Sequence, residues 1–193
     1  MIKLSYPLLI IALVFTSFYC KAQEDDSDTK EKRKKIKSTT EKITPYELGK
    51  PSGERKTVTT FNENGDETEV VKYTKEGTIK SKTTYKYNSK GKITEMIKTD
   101  GKNAVLEKEI STYNDKGKLV EEKKYKGNSL IEHIIYTYNE AGRKISEITK
   151  DAKGNVTNKA EFKYNAEGYK SERTEYDPKG KIKEKRTFEY KYR

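Results

Sequence analysis

The chain has 193 residues, a length typical of one domain, and 38% of them are charged against 31% hydrophobic. Lys and Arg outnumber Asp and Glu by 42 to 31, which gives a formal net charge of +11. This composition excludes a large apolar core. Because both signs of charge are interspersed, it favours a solvated surface, with attraction to an anionic partner as the alternative interpretation.

Residues 1–22 have the pattern of a secretory signal peptide. Lys3 supplies a positive start, residues 8–15 form an apolar run, and small residues precede a predicted cleavage after Ala22. Eight apolar residues are too few to span a membrane, which needs about 20. Cys20 is the only cysteine, and a lipid anchor there is the alternative. Tyr19, standing where a small residue is expected, favours ordinary cleavage and a mature chain without cysteine.

Residues 23–53 are predicted to be a charged, flexible linker. An acidic run at 24–28 is followed by a basic run at 30–37, and blocks of like charge resist packing. Pro45, Gly49, Pro51 and Gly53 then interrupt any regular pattern. The acidic run lacks the spacing and the glycine of an EF-hand loop, so a calcium site is not expected.

From residue 54 to 193 the chain repeats one unit, and an aromatic residue, an Asn and a Gly mark each copy. The aromatic positions are 26, 26, 25 and 26 residues apart, and Tyr190 lies 26 further on. Asn followed three residues later by Gly fits a type I turn that ends in a left-handed residue. The predicted turn residues are Asn62, Gly65, Asn88, Gly91, Asn114, Gly117, Asn139, Gly142, Asn165 and Gly168.

A second series of turns lies between these. Asp100-Gly101 predicts a two-residue hairpin of type I′, Gly127-Asn128 one of type II′, and Asp177-Pro178 a turn that ends near Gly180. A turn signal therefore falls every 12 to 14 residues, and two strands with two turns make one unit of about 26 residues.

Residues between the turns alternate with a period of two, as in half-buried strands. Ile79, Ser81, Thr83, Tyr85 and Tyr87 share one face, while Lys80, Lys82, Thr84 and Lys86 share the other. The sequence therefore predicts an all-β fold. It is an antiparallel meander of tandem two-strand repeats with about ten strands, forming a curled or single-layer sheet.

Aromatic residues at the ends of alternate strands should form one band along the sheet. This band is the first candidate contact surface, and a Lys-rich opposite face is the second. The last strand is also expected to be an exposed edge that promotes weak self-association. The candidate contact residues are Tyr85, Tyr87, Tyr113, Tyr136, Tyr138, Phe162, Tyr164, Phe188 and Tyr190.

Segments 87–93, 113–119 and 176–182 share the pattern Tyr-Asn/Asp-x-x-Gly-Lys-Ile/Leu, and they resemble YD repeats, also called Rhs repeats. The resemblance covers about residues 55–193. It implies a coiling β-repeat sheet with a carrier, shell or contact role in a bacterial surface or secreted protein. Phe61 in place of Tyr, Arg143-Lys144 after Gly142 and Tyr169-Lys170 after Gly168 depart from the pattern. The signal ending Lys21-Ala22-Gln23 is similar to those of proteins exported by Bacteroidota.

The sequence contains no convincing catalytic or metal-binding pattern, so no enzyme, metal or cofactor is expected. His133 is the only histidine, and the adjacent Glu132 should point to the opposite face of its strand. A recurring series of acidic residues, Glu69, Glu95, Glu121, Glu147 and Glu172, could supply paired carboxylates for glycan hydrolysis. A ladder that pairs with Lys across strands is the simpler interpretation.

The functional expectation is an exported, non-enzymatic repeat protein that binds a protein or a glycan, in the periplasm, at the outer surface or outside the cell. The alternative is a basic envelope protein that binds acidic polysaccharide or lipopolysaccharide by charge, and a glycan hydrolase is the third hypothesis. Tyr and Lys together could also bind nucleic acid, but export of the protein argues against that partner.

Overall fold

A computed structural model describes residues 27–191, and strands account for most of them. One short helix, α1, comes first, and fourteen strands follow in chain order. The elements are α1 (Ser27–Arg33), β1 (Ser38–Ile43), β2 (Tyr46–Glu47), β3 (Lys50–Pro51), β4 (Arg55–Phe61), β5 (Glu67–Tyr73), β6 (Ile79–Tyr87), β7 (Ile93–Asp100), β8 (Val105–Tyr113), β9 (Leu119–Lys126), β10 (Ser129–Tyr138), β11 (Lys144–Lys150), β12 (Val156–Tyr164), β13 (Lys170–Tyr176) and β14 (Ile182–Thr187).

Twelve of the strands form one antiparallel sheet, and β2 and β3 form a separate small hairpin. The order in the large sheet is β1, then β4 to β14 in sequence, so consecutive strands are also neighbours in space. The sheet does not close, and β1 and β14 are its two edges among the described residues. The predicted all-β antiparallel meander is therefore confirmed, with twelve strands rather than about ten.

Local hydrogen bonds explain why the chain reverses at each Asn-x-x-Gly segment. At Asn88 the amide of Gly91 donates to the Asn88 carbonyl (3.0 Å), and the side-chain oxygen of Asn88 accepts from the amides of Lys90 and Lys92 (both 3.0 Å). Gly91 has a φ of 71°, which costs an L-residue strain but not glycine. The predicted turn glycines Gly65, Gly117, Gly142, Gly168 and Gly180 also have positive φ.

Two turns of the second series differ from each other. Gly127-Asn128 is a two-residue loop with positive φ only at Gly127, as type II′ requires. The expectation for Asp100-Gly101 was wrong, because that turn spans four residues and Asn103 (φ 65°) takes the left-handed position. Gly101 is needed for another reason, since a Cβ there would lie 2.1 Å from the carbonyl oxygen of Ile79.

The segment predicted as a flexible linker contains regular structure. Helix α1 lies against the first turn, where Lys30 pairs with Asp66 at 2.6 Å. Strand β1 pairs with β4 over Ser38–Ile43, so the sheet begins before residue 54. Charge blocks and prolines did not show this, because the strand is stabilised by its neighbour rather than by its own pattern. The predicted signal peptide, with Cys20, lies outside the described residues.

Among residues 27–191, side-chain burial is slight and is confined to strands that have a neighbour on both sides. The buried hydrophobic residues of the described chain are Val71, Ile134, Ala160 and Phe162, and the buried polar ones are Ser111, Glu122 and Thr174. Most of these lie between β8 and β13. The fold is therefore stabilised mainly by strand pairing and cross-strand side-chain contacts.

Candidate contact surfaces

The strand register divides the side chains of the large sheet between two faces. Tyr85 lies opposite Met96, Met96 opposite Glu109, and Glu109 opposite Lys124, so these residues share one face. We call it the aromatic face, because it carries Tyr85, Tyr87, Tyr113, Tyr136, Tyr138, Phe162 and Tyr164. The opposite surface, which carries Lys82, Lys86, Lys108, Lys123, Lys159 and Lys163, is the lysine face.

The tyrosine that recurs about every 26 residues, before the turn Asn in four units and at Tyr190 in the last, ties neighbouring strands together. Its hydroxyl donates to the carbonyl oxygen of the first residue of the strand before it. The five bonds join Tyr87 to Glu67 (2.6 Å), Tyr113 to Ile93 (2.9 Å), Tyr138 to Leu119 (2.8 Å), Tyr164 to Lys144 (2.7 Å) and Tyr190 to Lys170 (2.8 Å). Phe61 occupies this position in the first unit, without a hydroxyl. These tyrosines therefore have a structural role that the sequence spacing alone did not reveal.

The predicted contact residues differ in how much surface they offer. Phe162 is buried, and the side-chain nitrogens of Lys144 and Lys170 lie 5.0 and 5.1 Å from the centre of its ring. Tyr85 and Tyr136 are half-buried, and burial raises the pKa of both phenols. Phe188 and Tyr190 are 39% and 41% exposed, and they follow the end of β14 at Thr187. The ring of Tyr190 lies 5.0 Å from that of Tyr169.

A charged cluster lies near the centre of the aromatic face. The ammonium of Lys124 contacts carboxylate oxygens of Glu122 at 3.1 Å and Glu132 at 2.9 Å, and Glu122 is buried. Glu109 stands directly opposite Lys124. Burial, together with the nearby charge of Glu122, raises the pKa of Glu109 to about 7. The pattern of alternating residues did not predict this cluster, because it depends on the register of three strands.

The acidic ladder on the lysine face is paired with lysines. Those of adjacent strands contact Glu69, Glu95 and Glu172, whereas Glu121 contacts Lys123 of its own strand, β9. Its closest contacts are Lys86–Glu95 (2.6 Å), Lys123–Glu121 (2.9 Å), Lys163–Glu172 (3.0 Å) and Lys185–Glu172 (2.7 Å), and Lys82 lies 3.8 Å from Glu69. Hydrogen bonds from Lys185 and Lys163 lower the pKa of Glu172 to about 2. Glu147 lies on the aromatic face instead, where it pairs with Lys144 at 2.6 Å. The contacts agree with a structural ladder.

His133 has a partner that its sequence neighbours did not indicate. It lies on the lysine face, and its Nε2 is 2.7 Å from Oε1 of Glu121 on the adjacent strand. Glu132 points to the other face and contacts Lys124. Among residues 27–191, no group of three or more acidic, His or Cys side chains is arranged to hold a metal ion.

A lysine and a tyrosine form a pair at three equivalent positions of the lysine face. Lys56 lies 4.1 Å from the ring centre of Tyr73, Lys108 lies 5.9 Å from that of Tyr125, and Lys159 lies 5.3 Å from that of Tyr176. The tyrosines are 52 and 51 residues apart, so the pair recurs in every second unit. The spacing was visible in the sequence, but the cation–π contact across strands was not.

Shallow depressions adjoin two of these three pairs. One, of about 360 Å³, is lined by Val156, Lys159, Glu161 and Tyr176, and the hydroxyl of Tyr176 donates to Glu161 at 2.8 Å. The other, of about 490 Å³, includes Tyr73 and residues of the turn that follows it. Both combine an aromatic ring with charged groups and are open to solvent.

Within the described residues, no helix has the length and apolar character needed to cross a membrane.

Solved structures with a similar fold include two that contain the protein TccC3. A Photorhabdus luminescens Tc holotoxin pore carrying a TccC3 mutation aligns with a TM-score of 0.53 and 12% identity over 77% of this chain. A TcdB2–TccC3 structure without its hypervariable C-terminal region gives 0.56 and 16% over 79%. The chain spans 8% of the length of either. A porin-like protein from Bacteroides uniformis, at 9% identity over 78% of this chain and 82% of its own, gives a TM-score of only 0.44.

These identities show likeness of fold alone. A comparison with curated protein sequences finds no match. A family model whose description is "Uncharacterised protein" matches residues 20–192, which is most of the chain. The chain therefore belongs to that family.

Proposed function

We propose that this chain is an exported, non-enzymatic β-repeat protein of the YD type that acts as a binding or structural module at the cell envelope or cell surface. The observation that supports this proposal most directly is the repeated unit itself. Its recurring Asn and Gly residues form turns, its tyrosines bond the preceding strand, and its glutamates pair with lysines. The repeated residues thus build a platform, and its faces and edges are left for contact.

The fold likeness to TccC3-containing structures supports a structural or binding module. Export rests on residues 1–22, whose pattern is that of a signal peptide. Fractionation of cells that express the full chain tests this part. We expect the protein in the envelope or the medium, with a mass that lacks residues 1–22. A cytoplasmic protein of full mass would refute export, and a lipid-bearing Cys20 at the N-terminus would favour the anchored form.

A glycan hydrolase is less well supported, because the ladder carboxylates are engaged in ion pairs with lysines. An acid catalyst needs a raised pKa beside a second carboxylate within a substrate cleft, whereas lysine contacts lower the pKa of Glu95, Glu121 and Glu172. We expect single Gln substitutions at these positions to have equal, small effects on stability. Loss of a glycan-cleaving activity in one of them alone would establish the hydrolase.

The binding role is tested with purified protein against lipopolysaccharide, acidic glycans, neutral glycans and detergent-solubilised envelope proteins, each at low and high salt. Saturable binding to one class that survives high salt would support a specific contact through the aromatic face or a sheet edge. The same protein unfolded in urea is the control. Absence of saturable binding to all four classes would contradict the proposal.

The second candidate, binding of acidic polysaccharide by charge, is favoured by the Lys–Tyr pairs of the lysine face. Each places a lysine ammonium near a tyrosine ring, and shallow depressions adjoin the Lys56–Tyr73 and Lys159–Tyr176 pairs. The double substitution Lys108→Gln and Lys159→Gln should weaken such binding, and affinity should fall steeply with salt. Lys98→Gln on the aromatic face, where Lys98 pairs with Glu107 at 3.0 Å, is the matched control. Salt-insensitive binding would exclude this candidate.

A further inference from the structure

Within residues 27–191, β14 is the last strand and forms one edge of the sheet. It pairs with β13 on one side, and Lys183, Lys185, Arg186 and Thr187 are exposed. An edge strand offers a row of backbone donors and acceptors that another strand can satisfy. The charges along β14 indicate which strand would fit.

Within the chain, the charges of β14 are mismatched with those of β13. Glu184 lies directly opposite Glu175, and Arg186 lies directly opposite Arg173. Like charges directly opposite each other in an antiparallel pair are destabilising. Each strand relieves this by pairing its own residues, Arg173 with Glu175 and Arg186 with Glu184. The alternation of Glu184 and Arg186 along β14 would instead bring opposite charges together if β14 lay beside an antiparallel copy of itself.

The backbone restricts how two copies could pair. The amide of Phe188 donates to the carbonyl of Ser171 at 3.0 Å. Since hydrogen-bonding direction alternates along a strand, the even-numbered residues of β14 bond to β13 and the odd-numbered ones face outward. An antiparallel self-pair must therefore join odd residues to odd residues. Three registers with substantial overlap satisfy this, centred on Glu184, Lys185 or Arg186.

Charge selects one of these three registers. Centring on Glu184 or on Arg186 places that residue against its own copy, with like charges in contact. Centring on Lys185 places Glu184 opposite Arg186 of the second copy twice, by symmetry, on the same face. Lys185 then meets its copy on the lysine face, so this register has two opposite-charge contacts against one like-charge contact, and each Lys185 ammonium also contacts Glu172 at 2.7 Å.

We propose that two copies of this protein associate through antiparallel pairing of β14 with β14, centred on Lys185, with Glu184 of each copy opposite Arg186 of the other. Such an isologous contact closes after two copies. The other edge of the sheet, β1, begins with Ser38, Thr39 and Thr40, which offer no comparable charge pattern. The interface is small, so the dimer is weak and forms at high protein concentration.

Charge reversal at two positions tests the register. Glu184→Arg and Arg186→Glu each place like charges in contact across the dimer. Inside the chain each variant loses the Glu184–Arg186 pair and gains an opposite-charge contact with Glu175 or Arg173 of β13. Both variants should therefore fold, and circular dichroism and thermal unfolding verify this. Sedimentation velocity of the purified proteins over a concentration series should show association at least about tenfold weaker in each variant than in the unchanged protein.

The equimolar mixture of the two variants provides the decisive measurement. Glu184→Arg leaves arginine at both positions and Arg186→Glu leaves glutamate at both, so opposite charges meet at both contacts of a mixed dimer. The mixture should therefore dimerise about as strongly as the unchanged protein. A mixture that remains monomeric, or single variants that associate normally, would overturn the proposal, and open-ended growth would indicate β14 against β1 instead. Because these experiments contain no envelope ligand, their failure would leave the proposed binding function untouched.

Discussion

Replacement of Glu109 by Gln should stabilise the protein at alkaline pH and change little at acidic pH. Burial and the charge of Glu122 raise the pKa of the folded-state carboxyl from its ordinary value of 4.5 to about 7. Between these values the folded state holds a proton that the unfolded state has released, so the free energy of unfolding falls as the pH rises. The cost of the buried charge is complete above pH 7 and absent well below 4.5.

The size of this effect follows from the interval between the two pKa values. At 1.36 kcal/mol per pH unit, it corresponds to about 3 kcal/mol for a fully insulated group. Glu109 is only half-buried, and solvent screening reduces the expected gain to about 1–2 kcal/mol. Gln keeps the shape of the side chain and removes the charge, so the variant should recover this amount at pH 8.5.

Urea unfolding at pH 5.0 and pH 8.5 measures the difference. Glu107→Gln is the matched control, two residues away on the same face. Glu107 pairs with Lys98 at 3.0 Å, so this variant should lose about 0.2–1 kcal/mol, without any gain at pH 8.5. If Glu109→Gln were destabilised equally at both pH values, the reasoning about its burial would be refuted.

Two further sets of substitutions test the turns and the tyrosine contacts. Tyr113→Phe removes the hydroxyl that donates to Ile93 and should cost about 0.5–1.5 kcal/mol in urea unfolding, whereas Tyr85→Phe on the same face should cost less. Gly91→Ala should lower the free energy of unfolding by about 1–2 kcal/mol because φ is 71°. The added Cβ meets no atom within 4 Å, so no clash adds to this loss. Gly101→Ala should cost more, since its Cβ would lie 2.1 Å from the Ile79 carbonyl oxygen; an equal cost at both glycines would argue against this clash.

The turns and the two faces of each strand could be predicted from the sequence because both are local properties. Asn88 and Gly91 carry their turn geometry within five residues, and alternation along β6 places Tyr85 and Tyr87 together. The Asp100 turn was mispredicted because Asn103 also adopts positive φ, so glycine position alone was not decisive.

Contacts between strands were harder to predict from the sequence, because they depend on the register in which the strands pair. Register shifts accompany most of the strand pairs, as between Lys86 and Tyr87, and each shift changes which residues meet. The Glu121–His133 contact and the three Lys–Tyr pairs therefore could not be derived from alternation. The lysine face also carries half-buried Ile97, Ile110, Ile135 and Ile148, which the expectation of a Lys-rich face did not include.

Stability should decrease from the middle of the array toward its two edges. In a linear array each strand is stabilised by its immediate neighbours, so edge strands lose half of that support. Ile134 on β10 and Ala160 and Phe162 on β12 are buried in inner strands, whereas every residue of β1 and most of β14 are exposed. Amide hydrogen exchange followed by mass spectrometry at low protein concentration should show the slowest exchange in β9–β12 and the fastest in β1 and β14. Uniform protection across all twelve strands would instead indicate that the sheet unfolds as one cooperative unit, and the nearest-neighbour description would fail.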